Sequence, residues 1–319
     1  MGMPVRLVLH ATGGEAAREA AAAAFARIAA LDAMLSDYRG DSELRRLELR
    51  AQDGWVRVPP ELLAILTRAL EIARQTDGAF DPTIRPLVAL WRRARAERRL
   101  PDPNALDAAR RLVDWKAVHL DANRAAVRFG RPGMQLDLGG IAKGFVTQSA
   151  LEMLRERGVT SALVEAGGDI AVSGAPPGRA GWVIDVPGAD PGFADRAARL
   201  VDAALATSGP AAQFVEIDGV RYSHVIDPRS GHAVTSNRFA RVIARDAMTA
   251  DALATALTIV SETERPIVLD RFPGVVATVH AEPKSVADSG RVSSPPPLPA
   301  ARAPRPSAAG RHAPFDWTP

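Results

Sequence analysis

The sequence contains no cysteine. That excludes a disulfide framework, thiolate zinc sites, iron–sulfur clusters, a cysteine-linked lipid anchor and a cysteine nucleophile. It leaves the compartment open, because a chain without thiols survives in reducing and oxidising surroundings alike. Aromatic residues make up only 5% of the chain, and they do not interleave with basic residues as they do where a protein stacks nucleic-acid bases. No apolar run approaches the roughly 20 residues that a membrane span needs. The first residues, Met1-Gly2-Met3-Pro4-Val5-Arg6-Leu7, lack the basic segment, long apolar stretch and cleavage site of an export signal, so the chain as written is expected in the cytoplasm. A charge excess is missing too. Forty basic residues face 37 acidic ones, and the segment from Lys284 to Pro319 accounts for the difference with five basic and two acidic side chains. Neither nucleic acid nor a membrane surface is an expected partner.

What the chain does have is apolar content, 47% over 319 residues, enough for one large domain or two ordinary ones. Beyond Pro283 the composition shifts to eight prolines in 36 residues, with Ala, Ser and Arg. This reads as a disordered tail, 284–319, behind a folded domain, 1–283.

Apolar spacing predicts a strand over Pro4 to His10 and amphipathic helices over Glu15 to Leu35 and Pro59 to Thr76. Arg85 to Arg99 reads as a helix interrupted by Pro86. Short strands are expected at Val118 to Leu120 and Ala126 to Phe129, around a turn at Asp121-Ala122-Asn123, and at Leu136 to Leu138. A helix follows from Ile141 to Arg157. Ala162 to Ala166 and Ile170 to Ser173 flank a reversal at Gly167-Gly168. Further strands are expected at Trp182 to Val186, Ala206 to Ser208, Gln213 to Ile217, Tyr222 to Ile226 and Arg241 to Arg245, with a hairpin at Asp218-Gly219. Helices over Met248 to Val260 and Thr263 to Asp270 complete the pattern. Hairpins among interleaved helices argue for an α+β fold with a mixed or antiparallel sheet and packed helices.

Four segments could carry chemistry. Asp251 and Thr255 stand one helical turn apart, on one face of an otherwise apolar helix. A carboxylate in such a setting needs a partner, and a hard cation such as Mg²⁺ is one. The ordinary alternative is an acid in the first turn, favoured by the helix dipole, with Thr255 bonded back to a carbonyl. Asp137-Leu138-Gly139-Gly140-Ile141-Ala142-Lys143-Gly144 runs from a strand into glycines and a helix N-terminus carrying a lysine. That suits an anion, or is simply a connection. It matches neither a Walker A loop nor a dinucleotide fingerprint. His224 is expected on a strand within reach of Asp227, as a proton carrier, a ligand contact or a hydrogen-bonded strand histidine. Asp77-Gly78-Ala79-Phe80-Asp81-Pro82 is a small-residue loop that a planar ring could approach.

Together these segments resemble the FAD:protein FMN transferase (ApbE) family. The resemblance runs from Met1 to about Ala277. It includes Met1-Gly2, Leu35-Ser36-Asp37-Tyr38, Asp77 to Pro82, Asp137 to Gly144, Glu165 to Asp169, Ala206 to Gly209, Ser223 to Pro228 and Asp251 to Leu257, in the family's order. It implies a T-fold-like α+β architecture and a reaction in which the FMN half of FAD is attached through a phosphodiester to a Thr or Ser of an acceptor protein. AMP leaves, and Mg²⁺ is required. By the same resemblance Mg²⁺ would be held by the side chains of Asp251 and Thr255 and the carbonyl of Gly140. Lys143, Asp137, Tyr38, Ala79, Phe80, Asp81, Met1, His224 and Ile226 would line the FAD site. His224 and Asp251 are both candidates to accept the proton of the attacking hydroxyl. The acceptor would be another protein, such as a membrane redox subunit. The alternatives are an FAD pyrophosphatase giving FMN and AMP, and a flavin-binding protein without turnover.

Three departures from the family pattern stand out. Met3 replaces the usual Thr. Met1 matches a position inside the first strand, so a truncated start would shift the expected location to the periplasm. After Val279 the family's last strand is expected to give way to the tail, exposing a sheet edge.

Overall fold

A computed structural model describes residues 3–37, 39–185, 197–209 and 214–281. Met1, Tyr38 and the expected tail lie outside the described residues.

The alternation read at the start of the chain builds β1 (Val5–His10). It pairs antiparallel with β5 (Ser161–Ala166), which reverses at Gly167-Gly168 into β6 (Asp169–Ser173). β9 (Ala203–Ser208), β12 (Arg238–Ala244) and β13 (Val276–Ala281) extend the sheet. The order is β1-β5-β6-β9-β12-β13, and every pairing is antiparallel. The α+β expectation holds, with the large sheet antiparallel throughout. The expected loss of the terminal strand does not. β13 runs along β12 as far as Ala281, because Val276 to Val279 supply enough β-branched, half-buried surface to extend the sheet.

Period-two alternation gives the sheet two covered faces. On one, Ala162, Val164 and Ala166 of β5 join the main core. There α1 (Gly14–Leu35) packs on α6 (Ala142–Glu156), and α7 (Ala247–Ile259) packs on α6, β9 and β12. On the other, Leu163 meets Trp182 and Ile184 of β7 (Trp182–Asp185) and Leu200 of β8 (Ala197–Leu200). α2 (Glu43–Arg50) follows α1 and leads through β2 (Val56–Arg57) to α3 (Pro60–Gln75).

The remaining elements flank this body. α4 (Arg85–Glu97) is unbroken. Pro86 sits in its first turn, where the N–H it lacks has no intrahelical partner to lose. α5 (Pro103–Arg110), with Asp102 accepting from the N–H of Ala105 at 3.0 Å, precedes β3 (Val118–Asp121) and β4 (Ala126–Phe129), the expected hairpin. β10 (Phe214–Ile217) and β11 (Val220–Ser223) form a separate hairpin through Asp218-Gly219, and α8 (Glu264–Leu269) precedes β13.

Two strand expectations fail. β11 stops at Ser223, so His224 lies on a bend, and Ile226 makes only an isolated bridge to Ala233. The Asp227 carboxylate accepts from the backbone and the guanidinium of Arg229. Residues 136–138 are extended but belong to no ladder. Their backbone groups bond elsewhere, as described below.

Candidate functional site

The site forms where the N-terminus of α6 crosses α7. α7 is nearly all apolar, and Asp246 caps it, accepting from the N–H of Thr249 at 2.8 Å. Asp251 therefore lies in the second turn, not the first, and the cap role belongs to Asp246. Asp251 is buried. One of its oxygens accepts from the N–H of Gly144 at 3.1 Å. That N–H belongs to the first turn of α6, where amides lack intrahelical partners and the dipole favours negative charge. The helix N-terminus foreseen as an anion site is occupied by the protein's own carboxylate.

Gly144 makes this crossing possible. A Cβ at that position would stand 2.1 Å from the carbonyl oxygen of Ala247, so any larger residue forces the helices apart. One turn of α7 beyond Asp251, Thr255 turns its hydroxyl toward the glycine loop, and a Cβ on Gly140 would lie 3.4 Å from Thr255 Oγ1 and 3.3 Å from the ring of Phe80. The Thr255 hydroxyl also reaches the carbonyl of Asp251 at 3.4 Å, the back-bond of the ordinary alternative. Both features coexist.

Lys143, adjacent to Gly144, sends its ammonium to Asp169 at 2.7 Å and to Asp251 at 3.5 Å. Asp169 begins β6 after the Gly167-Gly168 turn and is almost wholly buried. Burial, reinforced by the Asp251 charge, pushes the Asp169 carboxyl well above the usual carboxylate range. Burial acts to lower the Lys143 value, but Asp251 and Asp169 overcome it and hold the ammonium above the ordinary lysine value. Two buried carboxylates thus share one ammonium. Sequence reasoning gave Asp169 no role of its own. Its signal was only that a Gly-Gly reversal ended on an acid, and the partners lie 26 and 82 residues away in sequence.

Beside this cluster opens a cleft of about 680 Å³ whose wall includes Asp37, Arg92, Asp137, Leu138, Gly139 and Lys143. Asp137 accepts from the N–H of Gly139 at 2.8 Å, and desolvation pushes its carboxyl up. Asp37 at the rim pairs with Arg92 at 2.9 Å and Arg85 at 3.3 Å. Phe80 and Ala79 are buried in the main core, with the Phe80 ring against the glycine loop. Asp81 is turned inward. Its oxygens accept from the N–H and hydroxyl of Thr83 and from the N–H of Trp115, and burial raises its carboxyl to about 6.

The structure therefore gathers Asp251, Thr255, Gly140, Lys143, Asp137 and Phe80, and adds Asp169. Ile226 packs instead beneath α4, in a small core with Leu87, Trp91 and Ala233. His224 lies on the bend beside it. Among the described residues, no group of three or more His, Cys, Asp or Glu side chains is arranged to hold a metal.

Residues 1–279 match the ApbE family model. The chain is 38% identical over 265 residues to the FAD:protein FMN transferase of Treponema pallidum (strain Nichols), covering 76% of this chain and 72% of that one. It is 33% identical over 234 residues to the FAD:protein FMN transferase of a Vibrio cholerae serotype O1 strain, covering 72% and 69%. Among solved structures, the ApbE protein of Thermotoga maritima aligns with a TM-score of 0.74 at 32% identity, over 84% of this chain and 87% of its own. The flavin transferase ApbE of Vibrio cholerae aligns at 0.75 and 26% identity, over 89% and 92%.

Proposed function

The chain belongs to the ApbE family and is an FAD:protein FMN transferase, and from that membership we propose that the crossing of α6 and α7 is where FMN passes from FAD to an acceptor hydroxyl with the help of Mg²⁺. The observation that carries this reading is the charge at the crossing: two buried carboxylates, Asp169 and Asp251, against the single ammonium of Lys143.

The donors fit a hard divalent ion. A carboxylate oxygen of Asp251 and the hydroxyl of Thr255 share one helical face, with the Gly140 turn against that hydroxyl. Mg²⁺ commonly takes one or two carboxylates and leaves its other positions to water and substrate phosphate, so a set without three acids suffices. Asp251, Thr255 and the Gly140 carbonyl would hold it. Bound there, Mg²⁺ would neutralise charge on the pyrophosphate oxygens.

The chain's own groups do the rest. Lys143 brings a fixed positive charge to the edge of the cleft, anchored by Asp169. The Gly139-Gly140 turn leaves room for the pyrophosphate to approach the backbone. The acceptor Thr or Ser oxygen attacks the phosphorus on the FMN side. The P–O bond to the AMP side breaks, AMP leaves with the bridging oxygen, and the hydroxyl proton passes to a base. Positioning and electrostatics supply most of the catalysis in such transfers. Asp251 and His224 remain the candidate bases, and a membrane redox subunit is the proposed kind of acceptor.

The test is product analysis. FAD incubated with the protein and Mg²⁺ should yield AMP in step with acceptor-bound FMN, and EDTA should stop both. AMP with free FMN, and none on an acceptor, would replace the transferase reading with hydrolysis by water. Absence of AMP under all conditions would reduce the chain to a flavin binder.

A further inference from the structure

Residues 133–138 form one wall of the cleft and lead into the Gly139-Gly140 turn, yet no strand neighbours them. Their backbone is held by side chains from a single face of α2 and its extension. Gln52 Oε1 accepts from the N–H of Gly133 at 3.1 Å. Glu48 Oε1 accepts from the N–H of Leu136 at 2.5 Å. Arg45 Nη2 donates to the carbonyl of Leu136 at 2.8 Å. Arg45 and Glu48 also form a close ion pair with each other, 9% and 5% exposed. Positions 45, 48 and 52 recur at helical spacing and face one way. Next along the segment, the N–H of Asp137 donates to the carbonyl of Pro82.

We propose that Arg45 and Glu48 are positioning residues for the transfer reaction, gripping both backbone groups of Leu136 and so setting the orientation of Asp137, Leu138 and Gly139 in the FAD cleft. The inference rests on the flavin reading of that cleft. The apolar side chains of Met134, Leu136 and Leu138 are fully buried, and burial alone is non-directional. It holds the segment down without fixing its rotation about its own axis. A ladder would fix that rotation, and here a paired guanidinium and carboxylate do so instead, with directional, charge-assisted bonds. A buried ion pair is weak evidence for stability, since well-packed apolar residues often replace one without loss. Its value here is the geometry it imposes on a segment with no strand partner.

The experiment uses the full chain and free FAD, titrated by flavin fluorescence in EDTA so that no turnover intervenes, alongside thermal melts and KM and kcat for transfer with Mg²⁺. The double variant Arg45→Met/Glu48→Leu removes the clamp without stranding a buried charge. It should melt within a few degrees of wild type yet bind FAD about tenfold more weakly, with KM rising more than kcat falls. Glu48→Gln keeps an acceptor for the Leu136 N–H and should weaken FAD about threefold. It decides the matter if the double variant does not fold. Leu154→Ala, a cavity near the far end of α6, controls for destabilisation and should leave the FAD dissociation constant unchanged. Wild-type FAD affinity in the folded clamp variants would overturn the inference alone, as would an equal loss in Leu154→Ala. Wild-type protein that binds no FAD would overturn the flavin reading and this inference with it.

Discussion

Asp251 sits in the interior of an apolar helix, where an ionised carboxylate is costly unless something answers it. Two groups do, the Gly144 N–H and the Lys143 ammonium. Asp251→Asn keeps an oxygen for Gly144 and should fold. It should lower kcat for FMN transfer by roughly 10²-fold or more, the scale of losing a group that answers developing charge. Steady-state kinetics beside a melting curve would check this, and near-normal kcat would remove Asp251 from the reaction. Asp81 offers a test by pH. Its folded pKa of about 6 stands above the ordinary 3.8, so between those values the folded chain binds more protons than the unfolded one. Stability contributed at this site is therefore full below about pH 4 and falls as pH rises through 6. The wild-type minus Asp81→Asn difference in unfolding free energy should decline by about 3 kcal/mol over that window and stay flat above it. A flat difference throughout would show an unperturbed carboxyl. Asp169, by contrast, was barely legible in sequence. Its importance comes from two partners contributed by different helices, and no local pattern announces such a meeting.

At the scale of elements, the long amphipathic helices and the hairpins were readable because period and turn chemistry agree. α2 was not. It is short, charged along much of its length, and serves mainly to satisfy another segment's backbone. Leu136-Asp137-Leu138 misled for the complementary reason. It alternates like a strand and is extended like one, but its hydrogen bonds go to side chains of α2 and to Pro82. The α6–α7 crossing gives a sharper prediction. Gly144→Ala would set a methyl 2.1 Å from the Ala247 carbonyl, and the helices must separate to admit it. The expected cost is about 1–3 kcal/mol, visible in chemical denaturation, with Mg²⁺-dependent activity falling further than stability alone explains. An unchanged midpoint would mean that the crossing is looser than described.

For the molecule as a whole, both faces of the six-stranded sheet are covered, and β13 lies at its edge through Ala281. The fold class was legible from hairpins interleaved with helices, whereas the register that brings β6 and α6 together was not, because it depends on contacts far apart in sequence. The Pro-rich composition beyond Pro283 sets the proposed domain boundary. A chain ended at Pro283 should melt with the full chain and transfer FMN at the same rate; a drop of several degrees would place part of the tail in the fold. The central claim is that this fold moves FMN onto another protein at the Asp251 cluster. The most direct measurement is the intact mass of a candidate acceptor domain after incubation with the protein, FAD and Mg²⁺. The account predicts a gain of one FMN, lost with EDTA and with Asp251→Ala. An acceptor flavinylated as well by Asp251→Ala as by wild type would contradict it.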